Sequence, residues 1–356
     1  MREKPFNHTG LAVTPIGLGL AALGRPDYIN LGHAIDSLLP LTACGFAAGT
    51  GEPQEFTQCL PPQGNGDAAI LTGHTGAVLD VAWSRGIRFF DAARSYGRAE
   101  AFLSSWLQSR QIDPATVVIG SKWGYTYTAG WQISAEKHEI KDHSLPVLDR
   151  QINESRSLLG DYLGIYQIHS ATLDSSVLDN QGVLNRLAEL RDDGLVIGLS
   201  LSGPNQSDTL RKAIEITING LPLFRSVQAT WNLLSREAAD ALREAHDAGM
   251  GVIIKEALAN GRLTDRNHDP AFAPRLRLLQ QTAEEANTTI DAIALAAVLA
   301  RPWVDVVLSG AAQSSHLLSN LKSLKVAWTE ELEARLAELV EPADVYWRTR
   351  SSLAWN

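Results

Sequence analysis

Cysteine is scarce in this sequence, with only Cys44 and Cys59 among 356 residues. That excludes a disulfide scaffold, which needs several paired thiols to staple a small core. Both fall in one irregular segment where they would be able to touch, and unpaired structural thiols are the expectation. No run of 18 apolar residues occurs, so no stretch reads as a membrane-spanning helix. The first ten residues lack the basic-then-apolar order of a secretory signal. From these absences we expect a soluble, cytoplasmic protein with no membrane partner. Blocks of Lys and Arg are missing too: 31 basic residues against 40 acidic ones give a net charge of −9. Such a surface suits no phosphate backbone, so nucleic acid is not an expected partner. No metal site is assigned.

What is present is a large apolar fraction, 45% of the chain, enough to bury a sizeable core. The length fits one barrel or two ordinary domains, and one domain over residues 1–356 is the default. Short apolar runs recur at 16–20, 87–91, 117–122, 165–169, 196–200, 226–230, 251–255 and 305–309. Between them lie helical patterns, among them 98–108, 148–159, 184–191, 236–248, 288–300 and 330–340. Strands alternating with helices predict an α/β fold with a parallel sheet, and eight is the count that closes a (β/α)8 TIM barrel. A doubly wound sheet is the alternative. Residues 33–73 break the rhythm with turn-rich, poorly patterned sequence and are expected to be an irregular insertion after the first strand.

Gly17-Leu18-Gly19-Leu20-Ala21-Ala22 formally matches a relaxed dinucleotide fingerprint. Its context fails, because Arg25-Pro26 arrives before any helix can run. Strand packing explains these glycines instead.

The richest stretch runs from Gly86 to Glu100. It places Asp91 at the end of an apolar strand and Tyr96 five residues later in its loop. Lys122 ends the next predicted strand and His169 the one after. In a barrel such ends converge on one mouth, where barrel enzymes hold their chemistry. Singly, Asp91 reads as a cap, Lys122 as a surface ammonium and His169 as a core histidine. Together they suit proton donation to a carbonyl undergoing reduction. A lysine ammonium near the phenol would lower its pKa, a carboxylate would hold that ammonium, and an imidazole would polarise the carbonyl.

These residues, in this order, resemble the aldo-keto reductase family, whose members carry Asp, Tyr, Lys and His on a (β/α)8 barrel. Thr9 to Gly19 looks like the family's opening hairpin and first strand, Ile119-Gly120-Ser121-Lys122 like its Lys strand, and Leu163 to His169 like its His strand. The resemblance implies a nicotinamide cofactor laid across the barrel mouth, with NADP(H) favoured as the family's usual choice and NAD(H) still open. Gln228 matches the residue holding the carboxamide and Ser200 its serine partner; where the family has an asparagine next, this chain has Leu201. Lys255 stands in place of the aromatic platform beneath the ring, followed by Leu258 in the same cofactor-binding segment. Asn320 matches an adenine contact, while Gly310 and His316 replace the Lys and Arg that grip a 2′-phosphate. Trp123, Tyr125, Trp231 and Trp347 are the expected substrate contacts, aromatic walls for a small carbonyl or alcohol. The same aromatics would otherwise fill gaps between helices and barrel.

Carbonyl–alcohol interconversion with Tyr96 as general acid is thus the leading expectation. Two others stay open: a Schiff-base lyase using Lys122 or Lys255, and a non-catalytic barrel that binds nicotinamide as a redox sensor and docks on a partner.

Overall fold

Eight parallel strands close into a barrel, each pairing with the next in sequence and the last with the first. The computed structural model describes residues 1–26, 28–31, 65–132 and 135–355. The strands are β1 (Ile16–Gly19), β2 (Phe89–Asp91), β3 (Val118–Trp123), β4 (Leu163–Ala171), β5 (Val196–Leu201), β6 (Ser226–Thr230), β7 (Gly251–Lys255) and β8 (Val306–Ser309). Closure is made where Leu18 of β1 meets Ser309 on one side and Phe90 on the other. Every residue of β1, β3, β5 and β6 is buried. Strands covered on both faces carry continuous apolar runs rather than alternation, and that made them legible in the sequence.

Among the described residues the α-helices are α1 (Asn65–Ser84), α2 (Ala99–Ser109), α3 (Leu145–Leu159), α4 (Gln181–Asp192), α5 (Gln206–Glu215), α6 (Ala239–Asp247), α7 (Ala273–Glu285), α8 (Ile290–Leu299), α9 (Ser314–Asn320), α10 (Glu330–Leu336) and α11 (Ala343–Ser351). In α3, Leu148, Ile152, Ser155 and Leu159 recur every three or four residues and form the buried stripe. The start of α4 is fixed by Asn180, whose side chain accepts from the Val183 backbone N–H at 3.2 Å. Asn65, where α1 begins, lies inside the stretch expected to be irregular, so residues 65–73 are helical instead. Gly73 and Gly76 within α1 weakened its pattern, each costing about 1 kcal/mol of helix propensity relative to alanine. The remainder of that expected insertion, 33–64, lies outside the described residues, and Cys44 and Cys59 lie there with it. Among the described residues no helix is long and apolar enough to cross a membrane.

The two ends of the barrel differ, and the difference positions the site. At the amino end a hairpin pairs Lys4–Pro5 with Ala12–Val13 and drives Phe6 into the floor, fully buried. Phe6 packs with Phe89, Val118, Ile165, Ile253 and Val306 as an apolar plug. At the carboxyl end the inward positions are polar: Asp91, Lys122, Gln167, Ser200 and Gln228 are all buried there. Gly17 explains the glycine-rich first strand, since a Cβ on it would stand 2.6 Å from the Phe89 ring. Among the described residues 20–26 and 28–31 no helix follows β1, so the turn and helix that the fingerprint needs are not found there.

Candidate active site

Three strand ends and one loop bring the predicted side chains together. Lys122, fully buried on β3, sets its Nζ 2.5 Å from Asp91 Oδ2 and 2.9 Å from the Ala92 carbonyl. The Tyr96 ring centroid lies 4.9 Å from that ammonium. His169 closes the group edge-on to Tyr96, with ring centroids 5.5 Å apart and an interplanar angle of 84°. From across the barrel Gln228 donates to Asp91 Oδ1 at 2.9 Å, so both carboxylate oxygens are engaged. Gly97, at φ +60°, turns the chain just after Tyr96, and there a Cβ would stand 2.5 Å from the Gly24 carbonyl. Only glycine fits that turn.

The loop is braced from behind by a buried carboxylate. Glu100 accepts from Ser121 at 2.5 Å and from Ser155 at 2.7 Å, and pairs with Arg94. It thereby ties the residue beside Lys122 to the loop that carries Tyr96. The sequence reading missed Glu100, although a lone acid opening an apolar helix face was a usable signal.

Electrostatics correct one expectation. The Tyr96 phenol is raised well above 10, first by burial and then by the charge of Asp91. The lowering expected from Lys122 is outweighed, because burial prevails and the ammonium is held against the Asp91 carboxylate. His169 is lowered well below 6.5 by burial, with Lys122 and Lys255 adding repulsion. Near neutrality the site therefore holds a protonated phenol beside a neutral imidazole, as a proton donor to a carbonyl requires.

A cavity of about 680 Å³ opens over this group, a size usual for small-molecule sites. Asp91, Tyr96, Tyr125, His169, Gln228 and Lys255 line it, as do Leu258, Gly310, His316 and Asn320. Other expected residues are elsewhere. Trp123 is fully buried in the main core with its edge toward His143. Trp231 packs against Trp303, and Trp347 sits in the core beneath α11 with its indole N–H donating to Glu237. These three tryptophans are placed in the packing between helices and barrel and not on the cavity wall, where an indole buries a large apolar surface. Ser200 lies behind the wall, its hydroxyl accepting from the Ser170 N–H at 3.0 Å. Lys122 also stands behind the lining and is ion-paired, so it is no free nucleophile for a Schiff base.

Other lining residues were missed by the sequence reading. They are Tyr28 and Arg25, from a segment without clear pattern, and Arg266, from the loop after β7; Trp355 of the C-terminal tail lines the cavity too. Arg266 contacts His316, bringing a guanidinium to the place where β8 and α9 supply only Gly310 and imidazole. The donor set suits a nucleotide cofactor. Arg266 and His316 supply cationic and imidazole groups, Asn320 supplies an amide, and the space above Gly310 is open, with nothing within 4 Å of where a Cβ would stand. The Asn320 amide is itself fixed, accepting from Ser309 and donating to Asp291, both at 2.7 Å.

Fold and site together define a (β/α)8 barrel with a buried polar cluster at its carboxyl end. The chain belongs to the aldo/keto reductase family, whose sequence model matches residues 64–341. It is 25% identical over 369 residues to pyridoxal 4-dehydrogenase of Microbacterium luteolum, covering 92% of this chain and 93% of that one. It is 26% identical over 283 residues to norsolorinic acid reductase of Aspergillus flavus, covering 75% and 71%. Among solved structures, aldo-keto reductase AKR11C1 from Bacillus halodurans superposes with a TM-score of 0.68 at 18% identity, covering 96% of this chain and 97% of that one. The protein is thus an oxidoreductase of a family that interconverts carbonyls and alcohols and generally uses NAD(P)H.

Proposed function

We propose that this protein reduces an aldehyde or ketone to an alcohol, or runs the reverse, with a nicotinamide nucleotide as redox partner: carbonyl + NAD(P)H + H⁺ gives alcohol + NAD(P)⁺. The nicotinamide, when bound, supplies the two electrons and one hydrogen that reach the carbonyl carbon. The residues supply the rest. Tyr96 donates its phenolic proton to the carbonyl oxygen, while the buried Lys122 ammonium, fixed by Asp91, sits 4.9 Å from the ring and steadies the charge left behind. His169, neutral, donates a hydrogen bond to the same oxygen and orients it. In the reverse direction Tyr96 takes the alcohol proton back.

The observation carrying this reading is that Tyr96 and His169 line one cavity directly over the Asp91–Lys122 pair. Three aromatic side chains, Tyr28, Tyr125 and Trp355, line that cavity too and support an aromatic carbonyl substrate. The names of the relatives that act on pyridoxal and norsolorinic acid agree with that choice. NADP(H) is the favoured nucleotide, because Arg266 supplies the guanidinium that a 2′-phosphate takes. Arg266→Ala then weakens NADPH binding tenfold or more and leaves NADH binding unchanged.

The test of the chemistry is Tyr96→Phe. Turnover should fall by about 10² or more, while the affinity for NADPH stays within about twofold, since one general acid is worth roughly that much. Undiminished turnover would remove Tyr96 from the mechanism, and substrate trapped on Lys255 by borohydride would replace it with Schiff-base chemistry.

A further inference from the structure

Lys255 is an unusual wall for a redox site. It ends β7, paired in register with Thr230 of β6, and it lines the cavity two positions above the level of Gln228. Gln228 and Asp91 make the floor of the barrel mouth by their 2.9 Å hydrogen bond. A ring set over that floor, within reach of a carbonyl on Tyr96 and His169, would have Lys255 as its neighbour on the β7 side of the wall. The ammonium is held 3.2 Å from the Thr230 hydroxyl and 3.9 Å from Glu256 Oε1.

Charge in this part of the mouth does not balance. Lys122 is neutralised by Asp91, and Arg25 by Glu139 at 3.2 Å. Glu256 is shared: Arg350 takes its Oε1 at 2.7 Å, and Lys255 faces the same oxygen from farther away. Among the described residues on this side of the mouth, three cations (Arg25, Arg350 and Lys255) thus stand against two carboxylates (Glu139 and Glu256) beside the neutral Asp91–Lys122 pair; Asp265, Glu284 and Asp291 line the same cavity, Asp265 beside Arg266 in the chain and Asp291 bonded to Asn320. One positive charge is left over among these groups, and it lies on the side where the ring would sit. Burial lowers the Lys255 ammonium from the ordinary lysine value; Arg350 and Lys122 add to that, while Glu256 and Asp91 oppose it.

We infer that Lys255 selects the oxidation state of the bound nucleotide, favouring the reduced, uncharged nicotinamide ring over the oxidised, cationic one. This inference rests on the nicotinamide reading above. A cation against a buried lysine in a low-dielectric mouth is repelled, whereas a neutral ring packs on the aliphatic stem without that cost. The protein therefore stays loaded with the reduced nucleotide and sheds the oxidised one after turnover. Each tenfold of selection raises the potential of the bound two-electron couple by about 30 mV.

The experiment is a fluorescence or calorimetric titration of native protein, Lys255→Met and Lys255→Arg with NADPH and NADP⁺ separately. The native ratio of Kd for NADP⁺ to Kd for NADPH should exceed about ten. Lys255→Met keeps the stem and loses the charge, so its ratio should fall tenfold or more, mainly through tighter NADP⁺ binding. Lys255→Arg, which keeps the charge, should retain the native ratio. Gain of NADP⁺ affinity cannot arise from damaged folding, and Lys255→Gln repeats the measurement if the Met variant is unstable. An unchanged ratio in the neutral variants overturns the inference while leaving the nicotinamide site intact. Failure of native protein to bind either nucleotide overturns the nicotinamide reading itself, and the inference falls with it.

Discussion

Asp91 and Lys122 form an ion pair of 2.5 Å with both side chains almost wholly removed from water. Such a pair is not retained for stability, since two buried charges recover little more than their desolvation cost, but losing one partner leaves the other stranded. Asp91→Asn should therefore lower unfolding free energy by about 3–5 kcal/mol in a urea titration. Combining it with Lys122→Met should restore much of that stability and none of the turnover. Recovery of activity in the double variant would show that the pair serves the fold alone.

Gly17 offers a separate test of how the first strand was interpreted. A methyl group there meets Phe89 at 2.6 Å and Leu308 at 3.1 Å, so Gly17→Ala overpacks the barrel. We expect about 1–3 kcal/mol of destabilisation with NADPH affinity kept. Selective loss of nucleotide binding in a fully stable variant would revive the dinucleotide-loop reading of that glycine run.

His143 should set an acid limit on stability. Its Nε2–H donates to the His169 carbonyl at 2.9 Å, while the buried Nδ1 has no partner among the described residues, so a proton taken up there would find no acceptor among them. Burial accordingly lowers its pKa from 6.5 to about 4. The unfolded chain takes up a proton below pH 6.5 and the native one does not until about pH 4, so stability falls as pH drops through that window. In His143→Gln the thermal midpoint should depend less on pH between those limits. Identical slopes for the two proteins would rule out this histidine as the source.

Glu100 joins α2, β3 and α3 through its contacts with Arg94, Ser121 and Ser155. Glu100→Ala should cost about 3 kcal/mol or more of unfolding free energy, because it strands a partly buried guanidinium and two hydroxyls. Glu100→Gln, which keeps hydrogen bonding but not the charge, should lie between. A near-neutral alanine variant would mean that Arg94 finds Glu154, already 2.8 Å away, sufficient by itself.

The barrel was legible because each strand is buried on both faces and punctuated by helices; runs such as 226–230 and 251–255 match the observed strands to the residue. α1 was not, because Gly66, Gly73 and Gly76 interrupt it and its apolar residues do not gather on one face, so the periodicity is lost. Asp91, Tyr96, Lys122 and His169 were legible because strand ends in a barrel share one rim, so sequence position stands in for position in space. Trp123, Trp231 and Trp347 misled because aromaticity says nothing about which side of a wall a ring occupies.

The sequence by itself determined the strand count, the order of the elements and the acid, phenol, ammonium and imidazole at their ends, since these follow from local pattern along the chain. Tertiary structure decided how those groups are charged and what surrounds them. Pairing across the barrel neutralises Lys122, burial keeps Tyr96 protonated, a distant loop brings Arg266 to His316, and Glu256 shared with Arg350 leaves Lys255 a charge in excess. Interactions of that kind depend on distances between residues far apart in the chain, and no pattern of neighbours encodes them.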